Sequence, residues 1–188
     1  RDWSSDVCSS DLGSFVWSPD GTKITFVSDR DGNNEIYVVN ADGTNLTRLT
    51  NDAGNDTGPI WSPDSKKIAW VHDQDTGMVH VWTVWTMDAD GNNQATLLTG
   101  PDNTAINQLA WAPNNTKLAY VQQVGGKGDI FTVNVDGTGA ANISNNAADE
   151  SNPVWSPASS RIAFVSTRDG IRKVYISTVN GAGQRKLI

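Results

Sequence analysis

Trp17-Ser18-Pro19-Asp20-Gly21-Thr22-Lys23-Ile24-Thr25-Phe26-Val27 holds a tight turn and the strand that leaves it. Proline presets φ at the start of such a turn, and glycine supplies the positive φ that closes it. The alternation after it, Ile24-Thr25-Phe26-Val27, is rich in β-branched and aromatic residues and reads as a strand. The same opening returns as Trp61-Ser62-Pro63-Asp64, Trp111-Ala112-Pro113-Asn114 and Trp155-Ser156-Pro157-Ala158. The tryptophans are spaced by 44, 50 and 44 residues. Self-similarity at that period marks a repeat architecture, in which each unit covers the apolar face of the next.

Working outward from each tryptophan, three further markers recur. The first strands after the turn are Ile24–Val27, Ile68–Val71, Leu118–Val121 and Ile162–Val165. Second runs follow at Ile36–Val39, Val81–Val84, Ile130–Val133 and Val174–Ser177, each leading to a turn: Asp42-Gly43, Asp90-Gly91, Asp136-Gly137 and Asn180-Gly181. A last short run closes the units, as in Leu46–Thr50, Ala95–Thr99 and Ala141–Ser144. No stretch sustains a helical period. Four strands per unit and four units predict an all-β fold, a β-propeller of four-stranded antiparallel blades over about 13–50, 51–99, 100–144 and 145–188. The periodic tryptophans read as packing between blades rather than as a stacking platform for a ligand.

Phe15 to Phe26, continued by Ser28-Asp29-Arg30-Asp31-Gly32-Asn33-Asn34-Glu35-Ile36-Tyr37-Val38 and Asp42-Gly43-Thr44, resembles the repeat of TolB-like propellers. The resemblance covers residues 13–188. It departs where Asp-Gly becomes Asn114-Asn115 and Ser159-Ser160, and where the second unit is longer. TolB-like propellers usually have six blades, so the resemblance implies a piece of a larger ring. It further implies a non-catalytic protein of the bacterial envelope, in the periplasm or otherwise extracytoplasmic, with a protein partner such as a peptidoglycan-associated lipoprotein. The same repeat type also occurs in the substrate-gating propeller of prolyl-oligopeptidase-like serine peptidases, which is the alternative reading. A sugar-binding or lyase propeller with a central metal is a third.

Residues 1–12 share nothing with the repeat and hold the only cysteine, Cys8. They read like a translated sequencing-library adapter or a polar tail, and are set aside from the fold argument. Composition bounds the rest. The chain has 188 residues and a formal net charge of −7, so it lacks the basic footprint of a nucleic-acid binder. It also lacks the apolar run that a membrane-spanning helix needs. One cysteine excludes a disulfide framework and a cysteine-built zinc site.

The charge is unevenly placed. The loops between second and third strands and between blades hold Asp29, Asp31, Asp52, Asp56, Asp73, Asp75, Asp102, Asp149, Glu150 and Asp169, against Arg30, Lys127 and Arg168. The hairpins of the opposite face are close to balanced. An acidic face of this kind focuses field and attracts a protein or peptide partner, cationic in character. Trp85, in the doubled run Val81-Trp82-Thr83-Val84-Trp85-Thr86, is the candidate aromatic anchor beside it, against a plain reading as a buried ring in a lengthened strand.

Chemistry beyond binding finds thin support. Asp29 to Glu35 alternates oxygen donors, but its glycine comes too early for a calcium loop, and Asp73-Gln74-Asp75 is weaker still. His72 and His80, the only histidines, lack a third ligand at known spacing and read as an exposed loop residue and a strand residue. No Gly-x-Ser-x-Gly elbow and no phosphate-binding glycine loop is present. The expectation is therefore no catalytic residue, no metal and no cofactor.

Overall fold

A computed structural model describes residues 12–188. The foreign leader expected over 1–12 therefore falls, but for Leu12, outside the described residues. Sixteen strands form four antiparallel sheets of four, each in chain order from inner to outer strand. Blade one comprises β1 (Leu12–Trp17), β2 (Lys23–Ser28), β3 (Glu35–Asn40) and β4 (Thr47–Arg48). Blade two comprises β5 (Asn55–Trp61), β6 (Lys67–Asp75), β7 (His80–Asp88) and β8 (Ala95–Thr99). Blade three comprises β9 (Ile106–Trp111), β10 (Lys117–Val124), β11 (Lys127–Asn134) and β12 (Ala141–Asn142). Blade four comprises β13 (Glu150–Trp155), β14 (Arg161–Ser166), β15 (Lys173–Thr178) and β16 (Arg185–Lys186). The inner strands lie side by side, β1 against β5, β5 against β9 and β9 against β13, as blades around an axis require.

The turn residues act as their chemistry dictates. The Ser18 hydroxyl donates to Asp20 Oδ1 at 2.6 Å and accepts the Lys23 amide at 2.9 Å, and Gly21 sits at φ 70°. In the later blades the glycine's place is taken by Ser65, Asn115 and Ser159 at φ 55–60°. In blade four the pair equivalent to Asp20-Gly21 is therefore Ala158-Ser159, one residue earlier than the sequence comparison placed it. The Asp-Gly turn has a second task. A Cβ on Gly137 would meet the Leu97 carbonyl oxygen at 2.6 Å, so this turn presses on the last strand of the preceding blade and needs a residue without a side chain.

The core lies between the blades. Trp61 packs with Ile36, Val38 and Leu49 of blade one, and Trp155 with Ile130 and Ile143 of blade three. Trp111 joins Val84 and Leu97 of blade two. Each repeat tryptophan thus faces the blade before it. Among the described residues no blade precedes Trp17, which is 53% exposed, against 6% for Trp61 and 8% for Trp155.

Two features differ from expectation. The surplus in blade two is extended strand, not loop: β6 and β7 pair for nine residues, from Lys67–Asp88 to Asp75–His80. His72 is consequently a strand residue, and a buried one. Each inner strand also carries a bulge three residues before its tryptophan, with Gly58, Gln108 and Asn152 at φ 53–59°. Bulges of this kind bend a strand and raise its twist. The Asn152 amide donates to Gln108 Oε1 at 2.6 Å, tying one bulge to the next.

Candidate functional site

Because the sheets are antiparallel, the β2–β3 hairpin, the β6–β7 hairpin and the inter-blade connections all emerge at one end of the blades. Asp29, Asp31, Asp52, Asp75, Asp102, Asp149 and Asp169 are exposed there, and Asp73 is half-buried. Several are engaged locally. Asp169 pairs with Lys186 at 3.0 Å, and Asp149 accepts the Gly128 amide at 2.9 Å. Asp31 accepts the Tyr37 hydroxyl, which burial and this carboxylate together push up to about 12. Glu35, which closes the suspected calcium loop, is turned inward to Arg48 Nη2 at 2.7 Å and the Thr50 hydroxyl at 2.6 Å.

Asp56, Glu150 and Trp85 do not belong to the exposed rim. Asp56 and Glu150 are fully buried at the start of their inner strands, because the residue before each connection's end turns into the space between two blades. Trp85 lies half-buried on the face of blade two that meets blade one. Its ring is 6.1 Å from that of Trp70 and 6.0 Å from that of His72, and its Nε1 donates to the Thr83 hydroxyl at 2.7 Å. The paired nine-residue strands thus cover part of it.

The buried acids define two equivalent pockets. In the first, between blades one and two, Asp56 Oδ1 accepts Trp70 Nε1 at 2.8 Å and His72 Nδ1 at 2.9 Å. Its Oδ2 is buried without a partner. Asp52, on the connection from β4 to β5, brings Oδ1 to 3.4 Å from the same imidazole nitrogen. An Asx turn holds it, with the Gly54 amide donating to Asp52 Oδ1 at 2.8 Å. Gly54 lies close to the imidazole: a Cβ there would come within 2.3 Å of His72 Cε1. His72 Nε2 faces Gln74 Oε1 at 3.4 Å. The hydrogen bond to Asp56 pushes the imidazole's pKa up, and partial burial followed by the nearby Asp56 charge pushes the Asp52 carboxyl up. Asp52, Asp56 and His72 form the one group among the described residues with three ligand-type side chains close enough for a single ion.

In the second pocket, between blades three and four, Glu150 stands where Asp56 does. Ser166 replaces His72 and donates to Glu150 Oε1 at 2.7 Å. Arg168 replaces Gln74, bonds the same oxygen at 3.3 Å and lies 4.3 Å over the Tyr175 ring. Asn146 stands in place of Asp52. Between blades two and three the acid is replaced by Ile106, which joins the apolar core. His80, on β7, makes a separate half-buried pair with Asp73 at 3.1 Å and stacks on Trp82. A cavity of about 260 Å³ among β1, β5 and β9 is lined by Val16, Pro59, Ile60 and Leu109 and holds no titratable side chain.

Sequence reasoning missed the His72–Asp56 pairing. The signal was present: aligning blades two and four at an offset of 94 residues sets His72 against Ser166 and Gln74 against Arg168.

Comparison with known proteins follows the same line. The family described as TolB beta propeller domain matches residues 8–96 and 66–188. The Tol-Pal system protein TolB of Anaeromyxobacter dehalogenans is 33% identical over 106 residues, which is 56% of this chain and 24% of that protein. The crystal structure of TolB from Acinetobacter baumannii superposes with a TM-score of 0.74 at 20% identity, over 96% of this chain and 44% of that one. A puromycin hydrolase structure superposes with a TM-score of 0.73 at 21% identity, over 94% of this chain and 30% of that one. The chain thus spans about a quarter of the curated relative's length and less than half of either solved structure.

Proposed function

The chain belongs to the TolB β-propeller domain family, and on that premise we propose that it is a non-catalytic interaction module of the bacterial cell envelope. Its partner is a protein or peptide with a basic surface, met at the loop end of the blades in the periplasm or an equivalent extracytoplasmic space. The observation that carries this reading is the gathering of seven exposed carboxylates at that one end. Such a field steers a cationic partner and raises the association rate. Among the described residues no helix is long and apolar enough to cross a membrane.

Titration calorimetry with the purified peptidoglycan-associated lipoprotein of Anaeromyxobacter dehalogenans tests the proposal. The expected result is saturable binding that weakens steeply as salt rises, because exposed charges are screened. No binding, or binding indifferent to salt, contradicts it.

A second reading has its own observation. The puromycin hydrolase structure matches the fold as well as TolB does, and supports a gating propeller of a prolyl-oligopeptidase-like peptidase. A Gly-x-Ser-x-Gly segment in the same gene would favour it.

A further inference from the structure

We propose that Asp52, Asp56 and His72 form a binding site for a divalent transition metal of the zinc type, in the pocket between blades one and two. The proposal goes beyond partner binding and does not depend on it.

Charge is the first ground. Glu35, Asp52 and Asp56 converge at this junction, and the one guanidinium present, that of Arg48, is committed to Glu35 at 2.7 Å. The sister pocket in blade four answers its buried carboxylate with Arg168. Here Gln74 stands in that place, so the buried Asp56 has only the imidazole of His72 as a cationic partner, and a second carboxylate, Asp52, competes for it. A buried charge needs pairing, and a metal ion supplies it where a guanidinium does not.

Geometry is the second ground. His72 Nδ1 lies 2.9 Å from Asp56 Oδ1 and 3.4 Å from Asp52 Oδ1. A tetrahedral ion with ligands at about 2.0–2.1 Å sets its donors about 3.3–3.4 Å apart; the three ligand atoms here lie within 4.8 Å of one another, so the two carboxylates close on the ion as it binds. Asp56 is wholly buried and its Oδ2 has no donor; Glu150 Oε2 in the sister pocket has none either, but only at Asp56 do a second carboxylate and an imidazole stand beside the orphan oxygen's group. Asp52 is exposed and gives access from solvent, and open coordination positions remain on that side. The imidazole is already held, by Gly54 close to its Cε1 and Gln74 Oε1 at 3.4 Å from Nε2, in the manner of a ligand histidine steadied through its other nitrogen.

Donor chemistry selects the metal class. One imidazole nitrogen with two carboxylates suits zinc and its first-row neighbours, whereas calcium needs six to eight oxygens. Binding forms one metal–nitrogen and two metal–oxygen bonds. The proton on His72 Nδ1 is released to solvent, so the cation displaces a proton rather than adding to it.

The test is calorimetry on the chelator-treated chain with Zn2+ alone, with Ca2+ as comparator and Co2+ for its visible absorption. One equivalent of Zn2+ is expected to bind with proton release, which shows as a heat that varies with the buffer. Thermal unfolding should shift upward in the same titration. His72→Gln and Asp52→Asn should each weaken Zn2+ at least tenfold, with circular dichroism unchanged. Since Asp52 is on the surface, its variant guards against a folding failure at His72. His80→Gln should leave binding intact. Absence of stoichiometric Zn2+ binding overturns the proposal. So does affinity that survives both pocket variants, affinity lost with His80, or Ca2+ binding as tightly as Zn2+.

Discussion

The pocket between blades one and two and the pocket between blades three and four share one backbone and differ in charge logic. Both bury a carboxylate at the start of an inner strand, Asp56 in one and Glu150 in the other. In blade four the acid is answered by a hydroxyl and a guanidinium that also stacks on Phe164 and Tyr175. In blade two it meets an imidazole, an indole N–H and a second carboxylate. The repeat thus places a carboxylate at the same buried position in both blades, while the differences at 52, 70, 72 and 74 set what surrounds it: a guanidinium and a hydroxyl in blade four, an imidazole, an indole N–H and a second carboxylate in blade two.

The largest expected effect checks that the junctions are built alike. Trp155→Ala should cost about 3–5 kcal/mol, the range for truncating a buried aromatic, while Trp17→Ala stays within about 0.5 kcal/mol because no blade among the described residues precedes it. Urea unfolding of both variants measures the contrast, and equal losses would break the comparison at its root.

Next in size is Arg168→Met. Removing one partner of a buried pair leaves the other uncompensated, at about 3–5 kcal/mol for a fully buried charge. Arg168 is slightly exposed, and burial already pushes the Glu150 carboxyl up, so that it can take a proton instead. A loss of about 2–3 kcal/mol is expected near neutral pH, shrinking in acid as Glu150 protonates. The corresponding Gln74→Arg change in blade two should not destabilise, since it brings a guanidinium to Asp56.

The smallest effect is a pH slope. His72 is raised above its usual 6.5 by Asp56, so the imidazolium's contribution is fully present below that value. It is lost as pH rises through the higher folded value. Thermal midpoints should therefore fall across that window in the unmodified chain and fall less in His72→Gln. His80→Gln should keep most of the slope, because the His80–Asp73 pair is more open to solvent than His72–Asp56 and more screened. An unchanged slope in His72→Gln would remove His72 from the account.

Much of the fold was legible because its markers are local. Ser-Pro-Asp-Gly and Asp-Gly encode turns through φ preference alone, and the alternation beside them encodes strands. The pairing of Phe26 with Tyr37, and of Phe164 with Tyr175, lies across the remaining hairpins, β2–β3 and β14–β15, whose turns run through Asp31-Gly32 and Asp169-Gly170. The bulges at Gly58, Gln108 and Asn152 were not legible, since Gln108 and Asn152 adopt positive φ without a glycine to announce it. The site was legible only as a charge excess at one end. Loop position gives the end of the blade on which a carboxylate lies, but not whether it points outward. Asp56 and Glu150 turn inward, and their neighbours Asn55 and Asp149 do not. The placement of Trp85 was illegible for a related reason: with two tryptophans three residues apart on one strand, register decides which face each takes, and the nine-residue pairing of β6 with β7 was not visible from length alone.

Residues 94 apart in blades two and four occupy the same place, and Trp61, Trp111 and Trp155 each lie against the blade before them. Fluorine NMR of the chain labelled with 5-fluorotryptophan, assigned by single Trp→Phe changes, reads this directly. Trp61 and Trp155 should show matching, small solvent isotope shifts and Trp17 a large one. A large shift at Trp155, or divergent shifts at Trp61 and Trp155, would contradict the account.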